Sequence, residues 1–336
     1  MTAAPSGSSS AVLAAADPDL ARALAAGLEA VEARLREVVT SSHPLLDRSS
    51  RHLVEAGGKR VRPMLTLLAA QLGDADHPHV VDAAVVVELT HLATLYHDDV
   101  MDEADVRRGA PSANTRWTNT VAILTGDYLF ARASDLTATL GTEATHIQSQ
   151  TFARLVEGQI AETAGPLDGS DPVEHHLKVI ADKTGSLIAT SARLGAMVAG
   201  APDDVVETVA RFGEVYGTAF QLSDDLIDIA SEAVDTGKTP GTDLREGIRT
   251  LPVLLVLAGQ DGDSGRLREL LTDDLTDDVR LAEALRLLRV HPAMDQARAR
   301  LVSYVDEARA IAGSLPKGPA RTALLGLSDF LLARTG

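Results

Sequence analysis

Apolar residues recur along most of this chain at intervals of three and four, the spacing that places them on one face of an α-helix, and no stretch alternates apolar with polar residues as a half-buried strand would. The first such segment is 18–39, opened by Asp17 as a cap and Pro18 in the first turn. Gly57-Gly58 interrupts the pattern and 60–72 resumes it. From His79 the run HVVDAAVVVELTHLATLYHDDVMD predicts one unbroken helix. Further helices are expected over 120–141, 143–164, 172–200 and 202–229, with prolines close to several starts. Gly195 and Gly213, inside such runs, mark places where helices should approach closely. The stretch 231–248, SEAVDTGKTPGTDLREGI, is rich in turn residues and reads as a mobile flap. The last third, 250–336, holds amphipathic segments such as VRLAEALRLLRV that complete a bundle or form a subunit face. The expected fold class is all-α, with a disordered tail over 1–16 and a single helical domain over 17–336.

Composition narrows the chemistry. Of 336 residues, 45 % are hydrophobic and only 3 % aromatic, so the core must be built from Ala, Leu and Val, which suits close helix packing. The chain is long enough for a large core. Its net charge of -17 argues against nucleic acid as a partner, because a phosphate backbone needs a basic footprint. An anionic substrate would have to be met by local cations. Without cysteine there is no disulfide, thiolate nucleophile or cysteine zinc site. No apolar run is expected to span a membrane, and MTAAPSGSSSAVLAAA lacks the basic region of a secretory signal. A cytoplasmic protein is expected, peripheral to a membrane at most.

Two acidic turns then stand out. The long run ends in LYHDDVMDEADVRRG, where Asp98 and Asp102 share a helix face and Asp99 stands beside them. Like charges crowded on one turn repel, so a cation between them is stabilising. Hard oxygen ligands suit Mg²⁺, which is usually held by one or two carboxylates together with substrate phosphates. The sequence QLSDDLIDIAS repeats the spacing with Asp224, Asp225 and Asp228, 126 positions later and again near the end of a long helix. Two such claws could share metal ions with a diphosphate between them.

The basic residues point the same way. Only 5 of the 31 are lysine, and three of these, Lys59, Lys183 and Lys238, sit beside glycine or threonine at helix breaks. A compact ammonium caps a phosphate as a point charge. Lys59 and Arg62 stand at the mouth of a helix, where backbone amides also attract anions. His91 lies two turns before Asp98 on the same face.

Taken in order, GGKRVRP, HDDVMD with VRRG, KTG, and QLSDDLID with GKTPGTDL resemble the trans-isoprenyl (polyprenyl) diphosphate synthase family over about residues 40 to 255. The resemblance implies a helical bundle of the isoprenoid synthase type around a deep central cavity, a homodimer, and condensation of an allylic diphosphate with isopentenyl diphosphate. It implies Mg²⁺, about three ions, with Asp98, Asp102 and Asp224 as principal ligands and Asp99, Asp225 and Asp228 in the same claws. Lys59, Arg62, His91 and Arg108 would bind isopentenyl diphosphate. Arg107, Lys183, Thr184, Gln221 and Lys238 would hold the allylic diphosphate. Asp98, Asp102, Asp224, Lys183 and Lys238 would serve the chemical step. The chain departs from the pattern at Ile248, where members often have lysine and the charge here falls on Arg249.

The implied chemistry is ionisation of the allylic C–O bond, attack of the isopentenyl double bond on the cation, and loss of a proton to the released diphosphate, in a pocket that excludes water. Product length would be set on the helix below Asp98. Short-chain bacterial relatives carry bulky aromatics four and five positions before the first aspartate, where this chain has Thr94 and Ala93, followed by Thr90 and Val87. The expectation is a long-chain product of about C30 to C50, suited to quinone side chains, with a short-chain synthase of about C15 to C20 as the alternative. A class I terpene cyclase would not need the GGKRVRP site, and a non-catalytic synthase subunit would have eroded claws. A P-loop reading of Gly237-Lys238-Thr239 fails because Glu232 stands where its first glycine belongs.

Overall fold

The computed structural model describes residues 16–231, 240–259 and 264–335. The helix starts follow their capping residues. The Asp17 side chain accepts from the amides of Asp19 and Leu20 at 3.0 and 3.1 Å and opens α1, Pro18–Val38. Next come α2, Pro44–Glu55, α3, Val61–Ala70, and α4, His79–Met101. A two-residue hairpin, β1 Val106–Arg107 and β2 Ala110–Pro111, separates these from α5, Ala113–Arg116, α6, Asn119–Thr139, and α7, Thr142–Ala164. The chain continues through α8, Pro172–Ile180, α9, Ser186–Val198, and α10, Asp203–Ala230. The remaining helices are α11, Thr242–Arg245, α12, Leu251–Ala258, α13, Gly265–Leu271, α14, Asp278–Arg289, α15, Pro292–Ser314, and α16, Pro319–Ala333. The all-α expectation holds.

These elements form two compact units, one drawn from Met1–Arg154, Ser186–Glu214 and Ile311–Leu327, the other from Leu155–Gly185, Val215–Ala310 and Ser328–Gly336. In the first unit α4 is the core. It buries consecutive residues from Ala83 to Thr90, which is how a helix surrounded by others reads. Its most extensive packing is with α6, and α1, α3 and α9 also pack against it. Contrary to the expectation from sequence, α4 is long and apolar enough to cross a bilayer, with a mean hydropathy of 1.2 in its best window; 67 % of that window is buried inside the protein, which marks a core helix. Gly195 and Gly213 behave as expected: a Cβ on the first would strike the Thr66 carbonyl and on the second the Ala189 backbone, so α9 approaches α3 and α10 closely.

In the second unit α12 lies against α8 and α13 against α14. Arg289 on α14 ties down the end of α10, donating to the carbonyls of Ile229 and Ser231 at 2.7 and 2.6 Å.

The stretch foreseen as helical over 172–200 is helical from Pro172 to Val198, with Ala181–Gly185 as a π-turn joining α8 to α9. One local expectation is corrected. Strand pairing does occur, in the hairpin at 106–111, because Arg108 and Gly109 both take left-handed backbone (φ 55 and 75) and close a two-residue turn. Most of the foreseen tail, and 232–239 of the foreseen flap with Lys238, lie outside the described residues.

Candidate active site

The first acidic turn forms where α4 ends. Asp98 lies in the last turn, and Asp102 is the C-cap, its amide donating to the Asp98 carbonyl at 2.8 Å. The helix C-terminus adds partial negative charge to the carboxylates, so the place favours cations. Asp99 differs from its neighbours: it is 0 % exposed, and one oxygen accepts from Arg107 Nε at 2.5 Å while the other, Oδ2, has no partner. Arg107 also stands 4.0 Å from Asp102.

The hairpin explains why adjacent arginines act differently. Arg107, on β1, turns back to Asp99. Arg108, at the tip, reaches the other way and donates through Nη1 to the carbonyls of Leu53 (3.1 Å) and Gly57. A Cβ on Gly58 would lie 2.8 Å from the Arg108 guanidinium carbon, so the second glycine of GGKR makes the room that Arg108 fills. The same loop puts Arg60 in left-handed backbone (φ 47) at the start of α3, and the buried guanidinium pairs with Glu32 at 2.5 Å and Glu88 at 2.7 Å. Exposed Lys59 precedes it.

Arg60, Arg62 and Arg108 thus share an environment in which, among the described residues, Glu88 and Glu32 supply the counter-charges. Burial brings the Arg62 guanidinium down to about 10, with Glu88 opposing and Arg108 adding to the shift. Its Nε is buried without a partner. Burial also lowers Arg108, against the pull of Glu88. His91 on α4 is held well below the ordinary histidine value, first by burial and then by Arg62, Arg108, Arg60 and Arg107, so it is a neutral hydrogen-bonding group at neutral pH. A cationic, under-satisfied cluster of this kind accepts an anion with several oxygens.

The second unit carries the other acidic turn at the end of α10. The Thr184 hydroxyl, on the π-turn, donates to Gln221 Oε1 at 3.2 Å, and Gln221 Nε2 donates to Asp225 Oδ1 at 3.0 Å. Asp225 is buried, and its Oδ2 has no hydrogen bond; His176 Nε2 stands 3.4 Å away without bonding geometry. The Asp228 carboxylate accepts from the amides of Thr242 and Asp243, each at 3.2 Å, and so holds the start of α11. Asp224 is met by Arg334. Lys183 pairs with Glu162. A π-turn is a frequent local device at functional sites, and here it sets Lys183 and Thr184 on one short bend.

Within each unit the structure therefore brings together most residues singled out from the sequence. Among the described residues no three acidic or histidine side chains converge as a ready cation cage. The donor set nevertheless fits a hard divalent ion: Asp99 and Asp225, the second aspartate of each turn, each carry a buried oxygen with no donor, which is costly unless something electropositive meets it. Ile248 and Arg249 are both exposed.

The chain-length positions lie on α4 as follows. Thr94 is half-buried, while Ala93, Thr90 and Val87 are fully buried. Gln148 on α7 donates to Thr90 Oγ1 at 2.6 Å, and the Ala93 backbone runs close to α6, where a Cβ on Gly126 would lie 3.1 Å from the Ala93 carbonyl oxygen. Sequence reasoning missed Glu88, Gln148 and Arg334. A lone carboxylate inside AAVVVELTHLA was the available signal for Glu88; Arg334 had none.

A family model described as polyprenyl synthetase matches residues 43–288. The chain belongs to that family. A nonaprenyl diphosphate synthase of Mycobacterium tuberculosis is 50 % identical over 321 residues, covering 95 % of this chain and 96 % of the relative. A dimethylallyltranstransferase of the same organism is 44 % identical over 306 residues, covering 90 % and 93 %. The crystal structure of geranylgeranyl pyrophosphate synthase from Corynebacterium glutamicum complexed with calcium and isoprenyl diphosphate matches with a TM-score of 0.85 at 44 % identity, covering 95 % of this chain and 98 % of that one. The protein is a prenyl diphosphate synthase, a helical-bundle enzyme that transfers prenyl groups.

Proposed function

We propose that this synthase condenses isopentenyl diphosphate successively onto an allylic prenyl diphosphate in a Mg²⁺-dependent reaction and releases a long-chain polyprenyl diphosphate of about C30 to C50, of the kind used for quinone side chains. The observation that carries the reading is that α4 and its hairpin serve two opposite charges at once: an acidic helix end for a cation, and a buried arginine cluster with an unfilled Arg62 donor for a diphosphate. Lys59, Arg62, His91 and Arg108 hold isopentenyl diphosphate, with His91 donating as a neutral group. Arg107, Lys183, Thr184, Gln221 and Lys238 hold the allylic diphosphate.

Asp98, Asp99 and Asp102, with Asp224, Asp225 and Asp228, would hold the metal. Bound there, Mg²⁺ neutralises charge on the leaving diphosphate. On this reading Arg107 would exchange Asp99 for a diphosphate oxygen, and Lys183 would likewise exchange Glu162. The apolar residues of α4 exclude water from the allylic cation. Following the same family pattern, the enzyme works as a homodimer in the cytoplasm, peripheral to a membrane at most.

The long-chain reading rests on the small residues Thr94 and Ala93 below Asp98, and on the nonaprenyl relative. A second reading, a product of about C15 to C20, is favoured by the Gln148 to Thr90 bond, which crosses the face about 12 Å below Asp98, eight residues at about 1.5 Å each. Purified protein incubated with labelled isopentenyl diphosphate, an allylic starter and Mg²⁺ separates them once the dephosphorylated products are sized. A ladder ending at C15 or C20 would exclude the long-chain reading.

A further inference from the structure

The C-terminal turn places a cation on the second acidic motif. Arg334, just beyond α16, donates through Nη2 to Asp224 Oδ1. Its guanidinium carbon lies 5.1 Å from the centre of the Phe220 ring and 5.9 Å from that of Phe330. The arrangement follows from helical spacing: Phe220 precedes Asp224 by one turn on α10, and Phe330 precedes Arg334 by one turn at the end of α16. Each member of the ion pair thus carries an aromatic ring that brackets the guanidinium.

The seat is specific but thin. A guanidinium offers five N–H donors, and carboxylates bind it most firmly through two parallel bonds. Here one arm reaches one oxygen, and Nη1 is buried with no hydrogen-bond partner. The Arg334 side chain is 16 % exposed and that of Asp224 37 % exposed, so water already reaches the carboxylate side of the pair. Such a pair neutralises Asp224 yet opposes its replacement by a divalent ion only weakly.

We propose that Arg334 is the resident counter-cation of Asp224 in the metal-free enzyme, and that a divalent metal binds in competition with its charge, which makes the C-terminal turn a competitive gate on metal loading. The proposal rests on the reading of Asp224 as a metal ligand. Arg334 engages one oxygen of the carboxylate, so a metal on the same group meets the guanidinium as a neighbouring like charge, and the two compete through charge. The two rings hold the guanidinium beside the motif by cation–π attraction.

Mn²⁺ alone serves as the probe, with the free ion counted by electron paramagnetic resonance in titrations of full-length protein. Arg334→Gln should bind Mn²⁺ about three- to tenfold more tightly than wild type, the size expected from losing one part-exposed competitor. The gain should shrink as ionic strength rises. Arg334→Lys, which keeps the charge but not the planar guanidinium, should recover most of the wild-type behaviour. Phe220→Leu, which loosens the seat without touching a charge, should fall between. Asp224→Asn should weaken Mn²⁺ binding, and no gain should remain in the Arg334→Gln, Asp224→Asn double variant. Equal or weaker Mn²⁺ binding in Arg334→Gln, with Asp224→Asn still impaired, overturns the gate and leaves Asp224 as a ligand. An Asp224→Asn variant that binds Mn²⁺ like wild type overturns the ligand reading itself.

Discussion

Glu88 carries more of the charge balance in the first unit than its place in an apolar run suggests. It is buried, accepts from Arg60 at 2.7 Å, and stands 3.8 Å from Arg108. Removing it leaves two buried cations with less compensation, and Glu88→Ala should cost about 3 kcal/mol or more in urea unfolding. A loss under about 1 kcal/mol would mean that the arginines find other partners. His91 gives the complementary test. Its folded value is depressed, so below about pH 6.5 the unfolded chain takes up a proton that the folded chain refuses, and stability falls as pH drops through that value. His91→Gln removes this proton uptake and should lose about 1 kcal/mol less than wild type between pH 7.5 and pH 5.5. Parallel losses would show that His91 is not held neutral. Lys59→Ala should mainly raise KM for isopentenyl diphosphate, because in the proposed site it meets the substrate whose C–O bond is not broken; an unchanged KM would remove Lys59 from the site. Single residues were legible in the sequence where their spacing carried the chemistry, as with Asp98 and Asp102. Asp99 and Arg107 were legible as members of the site but not as a pair, since the pairing depends on a hairpin closed by a left-handed arginine.

At the scale of elements, α4 was legible almost to its ends, because a run of 23 residues with few polar breaks allows little else. The π-turn at Ala181–Gly185 was legible only as an irregularity marked by Lys183-Thr184-Gly185; its π geometry was not, because one extra residue in a turn leaves no periodic trace. The chain-length positions show a different limit. Small residues at Ala93 and Thr90 serve an open channel or a close helix contact equally well in sequence, and the structure brings the Ala93 backbone close to α6 and binds Thr90 to Gln148. Ala93→Phe should shift the product toward shorter chains without abolishing turnover, read by sizing dephosphorylated products. An unchanged product length would mean that the tail runs along another face of α4.

At the scale of the whole molecule, the chain is strongly acidic, with a net charge of -17, yet handles anionic substrates. On the proposed reading it does so by concentrating cations at the GGKR loop, the hairpin and the π-turn, and by leaving two acidic turns for metal. The central claim is that both acidic turns serve one metal-dependent condensation. The most direct measurement is the rate of labelled isopentenyl diphosphate incorporation by Asp98→Ala and Asp224→Ala, each checked against wild type for melting temperature. Each variant should melt as wild type does and lose turnover by about a thousandfold or more, since a leaving diphosphate whose charge is not neutralised by metal departs far more slowly. Near-normal turnover in either folded variant would contradict the account.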